Sequence, residues 1–137
     1  MLGSVLAVTI VIAVGISIFH VIERGNPMKD LAKYYSIRLP NDTRTVYHSK
    51  GSTFTGKPPQ VAIFKFQSAP IAFLTQFQKC DDKERVTNKL SQFNIPEKKY
   101  PYIEGDFLSV TFLDVKKTYI AEGYYIPISL TFIVFYY

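Results

Sequence analysis

Few side chains in this chain can do chemistry, and their spacing limits what they can build. Its only cysteine is Cys80, and its only histidines are His20 and His48. Zinc needs three or four clustered histidine, cysteine or carboxylate ligands, so the sequence predicts no metal and no other cofactor. A Cys80–His48 dyad is conceivable, because nucleophile and base need only meet in space. The pattern before Cys80 reads as a helix, however, which puts the thiol at a helix C-terminus, where the dipole disfavours a thiolate. No Gly-x-Ser-x-Gly elbow and no Walker loop occurs. Asp81-Asp82 reads as a helix start and cap, and Glu104 and Asp106, flanking Gly105 in a loop, could bind a cation only weakly, because two carboxylates do not make a site. The expectation is a protein that is not an enzyme; the alternative is an enzyme with a non-motif active site near His48.

Contact surfaces are the better candidates. Lys98, Lys99, Tyr100 and Tyr102 interleave basic and aromatic groups around Pro101. Such a loop can meet an acidic partner, a lipid headgroup or a glycan. Phe54 stands alone among polar residues in the loop 49–60 and is the fifth candidate.

Composition narrows the classes further. Sixteen basic against eleven acidic residues give a formal charge of +5. The lysines form no block longer than two, which argues against a nucleic-acid partner, since that footprint is a dense basic stripe. No small-molecule ligand is evident. A single cysteine permits no internal disulfide, so the core must supply the stability. Eleven phenylalanines and ten tyrosines, with no tryptophan, are the material for it.

Hydropathy and local signals set the elements around these residues. Leu2–Ile22 carries no Asp, Glu, Lys or Arg and is apolar all round, which predicts a membrane-spanning helix. A cleaved signal peptide would need a basic n-region, which Met1-Leu2 lacks; a buried helix of a soluble fold is the other rival. Asn26 can cap a second short helix from Pro27 to Tyr35, with Pro27 in its first turn. Strands are predicted over 43–48, 61–67, 107–113 and 124–137, with 119–122 a further short one and Gly123 a turn or bulge. Pro70, Phe73, Leu74 and Phe77 make an apolar stripe at helical spacing, and Val86, Leu90 and Phe93 a second. The chain stops inside its most apolar strand, which reads as a central strand or as a truncated form.

The predicted architecture is α+β: an N-terminal transmembrane helix, then a small domain with an antiparallel sheet of about four strands and helices packed on one face. The expected domains are an anchor over 1–24, a juxtamembrane linker and short helix over 25–36, and the α+β domain over 37–137. The expected function is a single-pass, signal-anchored, non-catalytic module. It meets the lipid bilayer through Leu2–Ile22 and binds a protein or envelope partner near the membrane surface. The alternative is an accessory subunit of a membrane complex, packing through that helix. Single N-terminal anchors commonly export the domain attached to them, so this domain is expected outside the cytoplasm. Arg24, Lys29, Lys33 and Arg38, read by the positive-inside rule, argue for the cytoplasmic side.

Overall fold

The structure is a computed structural model that describes residues 26–50 and 58–137. Helix α1 spans Pro27–Tyr35. The Asn26 side chain accepts hydrogen bonds from the Met28 and Lys29 N–H groups at 3.1 and 3.3 Å, which satisfies two otherwise orphan donors. Pro27, Leu31 and Tyr35 recur at four-residue spacing and form its buried face. Ser36, with φ 56°, turns the chain out of the helix. Helix α2 spans Lys83–Ser91, with Asp82 at its N-cap accepting from the Arg85 N–H at 3.0 Å and with Val86 and Leu90 buried.

Among the described residues six strands make one sheet: β1 Arg44–Lys50, β2 Gln60–Lys65, β3 Gln78–Cys80, β4 Phe107–Leu113, β5 Ile120–Ile126 and β6 Thr131–Tyr136. Their order across the sheet is β1-β2-β6-β5-β4-β3, and every neighbouring pair is antiparallel. β4, β5 and β6 form a meander. β2 pairs β6 with Val61 opposite Phe135 and Phe64 opposite Phe132, so each apolar residue meets another on its own face.

Both faces of this sheet are covered. On one, Ala62, Phe64, Phe132, Val134 and Tyr125 pack with Leu31 and Tyr35 of α1. On the other, Val61, Ile63, Ile133, Phe135 and Tyr124 pack with Val86 and Leu90 of α2. That explains the continuous apolar run of β6, which is buried at every residue.

The fold class expected from the sequence is corrected by these observations. The sheet has six strands, not about four, and one helix lies on each face instead of both on one. The expected span Leu2–Ile22 lies outside the described residues. Among the described residues no helix is long and apolar enough to cross a membrane. A transmembrane, single-pass signal anchor is therefore no part of the architecture that these residues form.

Two further differences are local. The stripe Pro70–Phe77 forms only a 3-10 turn over Phe73–Gln76, after which the chain extends into β3. Phe73, Leu74 and Phe77 still pack on the α1 side, so the apolar pattern marks burial and not a helix. The predicted long last strand is two strands. Pro127–Ser129 makes a 3-10 turn, and Leu130 at φ 52° reverses the chain. Gly123 is no turn: it lies inside β5, where an added Cβ would meet the Phe132 ring at 2.7 Å.

Candidate functional site

Among the described residues, the end of the sheet formed by the β4–β5 turn, the last turn of α1 and the C-terminus of β6 gathers six of the ten exposed large apolar side chains. Asp114 shapes the turn. Its N–H donates to the Tyr119 carbonyl at 3.0 Å, and its carboxylate accepts from the Thr118 N–H and, at 2.9 Å, from the Tyr119 N–H. Lys117 sits in the left-handed region at φ 57°. The Val115 N–H donates to the Tyr34 carbonyl at 2.8 Å, which ties the turn to α1. The Tyr35 hydroxyl donates to the Tyr137 carbonyl at 2.9 Å and accepts from the Tyr137 N–H at 3.0 Å. The turn, α1 and the last residue are thus fixed to one another.

Leu113 and Ile120 are cross-strand partners and stand 54% and 50% exposed. Val115 is 59% exposed, and Tyr34, Tyr119 and Tyr137 are about 40% exposed. The Tyr119 and Tyr137 rings stack at 5.7 Å and separate two clefts. The larger, of about 350 Å³, lies towards α2 between Lys89, Phe93, Ile120 and Phe135. The smaller, of about 140 Å³, lies towards α1 between Tyr34, Asp114, Val115 and Lys116.

Glu122 anchors the floor of the larger cleft. It accepts from Lys89 Nζ at 2.7 Å, from Arg85 at 3.2 Å and from the Tyr124 hydroxyl at 2.9 Å. Burial works to raise its carboxyl pKa. The Lys89 and Tyr124 hydrogen bonds and the charges of Lys89 and Arg85 outweigh that and hold it below the usual carboxylate range. Burial, and then Glu122, push the Tyr124 hydroxyl well above its ordinary value. With three donors on it, Glu122 holds α2 to the sheet; its partners leave it poorly placed to take a proton from a substrate.

The residues singled out in the sequence lie elsewhere. Lys98 and Lys99 are on an exposed 3-10 turn, Glu97–Lys99, at the opposite end of the sheet. Tyr100 and Tyr102 follow at 41% and 60% exposure, with Pro101 and Ile103 buried between and after them. Phe54 and His20 lie outside the described residues. The Ser129 hydroxyl donates to the Tyr102 carbonyl at 3.4 Å, which sets exposed Ile128 near this loop.

The catalytic candidates are dispersed. His48 Nε2 lies 3.0 Å from Gln60 Oε1 and 3.1 Å from the Tyr136 hydroxyl, and its ring stacks on Tyr136. Cys80 is in edge strand β3, not at a helix C-terminus, and packs half-buried against the α2-side core. Asp82 caps α2, and Asp106 faces Lys79 at 3.8 Å in solvent. Among the described residues no three His, Cys, Asp or Glu are placed to hold a metal ion.

The hairpin-end surface was missed in the sequence because its members come from 34, 113–120 and 137, which only the register brings together. The available signal was the run Leu113–Ile120, where Val115 and Tyr119 flank Lys116 and Lys117. Compared with known proteins, the chain matches no family model, no curated protein and no solved structure.

Proposed function

We propose that the protein is a non-catalytic binding module whose binding surface is the hairpin end of its sheet. The observation that carries this reading is the exposure of Leu113, Val115 and Ile120, each at least half exposed, beside three partly exposed tyrosines. Exposed apolar groups gathered at one end of a small domain mark an interaction site more often than a stray exposed residue does. The two clefts flanking the Tyr119–Tyr137 stack add relief for a partner to grip.

The Lys98–Tyr102 loop is a second binding surface in this reading, favoured by the Tyr102–Ser129 contact that brings Ile128 near the two exposed tyrosines. It supplies fewer apolar groups and ranks behind the hairpin end.

The test places a photo-crosslinking amino acid at Val115 in the full chain, in its native cells, with the same group at exposed Ser91 as control. Adducts at position 115 with few at 91 are expected. No adduct at position 115, or equal adducts at both, would overturn the reading.

A further inference from the structure

The hairpin end has a charge pattern as well as an apolar one. Lys116 and Lys117 are exposed at the turn, and exposed Lys33 of α1 holds its ammonium 5.2 Å from the centre of the Tyr34 ring. Asp114 accepts from the turn's own N–H groups and keeps its negative charge, and Glu122 is paired with Arg85 and Lys89. Lys33, Lys116 and Lys117 outnumber Asp114, so the surface is net cationic, interleaved with aliphatic and phenolic groups.

Resting on the binding surface proposed above, we infer that this end docks on a lipid surface carrying anionic headgroups. Lys116 and Lys117 would lie at headgroup level, with Val115 beside them at the turn reaching the upper acyl carbons. Three features favour lipid over a protein partner. The cations at the turn are lysines, which protein interfaces exclude from their cores while they enrich arginine. A lysine's flexible stem lets its charge reach the headgroups while its methylenes stay with the apolar groups. The three tyrosines beside them suit a lipid boundary and a protein interface alike and do not decide between the two. Lysines close to an anionic leaflet are attracted without needing a fixed geometry. This docking involves the folded domain alone and is independent of the apolar run Leu2–Ile22.

The test reads insertion locally, so that the rest of the full chain cannot supply the signal. A Cys80→Ser background removes the only native thiol. An environment-sensitive fluorophore is attached at Val115→Cys, and in a second sample at Ser91→Cys. Vesicles of phosphatidylcholine alone are compared with vesicles that also contain phosphatidylglycerol. The fluorophore at position 115 is expected to shift to the blue and brighten several-fold with the anionic vesicles only, and the response should weaken as salt is raised. Lys116→Glu with Lys117→Glu should reduce apparent affinity by about tenfold or more. Lys65→Glu with Lys83→Glu, both exposed and away from the hairpin end, should leave it unchanged and shows that charge reversal as such is tolerated. No response at position 115, an equal response to neutral vesicles, or an equal response at position 91 would overturn the inference. If the cross-linker at Val115 captures protein while the fluorophore stays silent, the binding surface stands and the lipid assignment falls. If the cross-linker captures nothing, both fall.

Discussion

Tyr125 shows how tightly the α1-side core is filled. Its ring packs against Phe66 at 5.9 Å, and its buried hydroxyl finds no hydrogen-bond partner among the described residues. A buried hydroxyl without a partner costs stability, so Tyr125→Phe should raise it by about 1 kcal/mol in urea unfolding. Gly123 makes the opposite case. A methyl group there must displace the Phe132 ring and crowds Val110, so Gly123→Ala should destabilise by about 1–3 kcal/mol in the same measurement. Glu122 ties stability to pH. Its folded pKa lies below its ordinary value of 4.5. Its contribution is therefore complete above that value and is lost as pH falls through the lower, folded one. Glu122→Gln should remove this acid-side loss from the stability profile, at a cost near neutral pH of about 1 kcal/mol.

At the scale of elements, the best-read parts of the sequence carry their own local signals. Asn26-Pro27 with Leu31 and Tyr35 sets α1 through a cap, a first-turn proline and one apolar face. Phe107–Leu113 was legible as a strand with the bounds it has. The failures have physical causes. Pro70–Phe77 has helical spacing, but after a single 3-10 turn its residues are drawn into contact with Phe132 and Phe112. Glycine at 123 suggested a break, yet the missing side chain makes room for the Phe132 ring across the strand pair. The break at 127–130 was hidden because Ile128 and Leu130 keep up the apolar alternation. Of the candidate surfaces, Lys98–Tyr102 was legible because it is contiguous. The hairpin end was not, since Tyr34 and Tyr137 join it only through the fold. The Tyr35 hydroxyl makes that join testable. Tyr35→Phe deletes both hydrogen bonds to Tyr137, and it should speed amide exchange at Tyr137 with a stability loss of about 1–2 kcal/mol.

At the scale of the molecule, the sheet separates two cores, each sealed by its own helix. Leu31 and Leu90 are fully buried on opposite faces. Leu31→Ala and Leu90→Ala should each cost about 2–5 kcal/mol, and their effects should add to within about 0.5 kcal/mol because they share no neighbour. Among the described residues, six of the ten exposed large apolar side chains stand at the hairpin end, and the hydrogen bonds of Asp114, Val115 and Tyr35 fix the frame behind them. The most direct test is the yield of cross-linked adduct in cells at Val115, compared with Tyr102 and Ser91. The account predicts the highest yield at Val115, less at Tyr102 and little at Ser91. Adducts at Tyr102 or Ser91 with none at Val115 would contradict it.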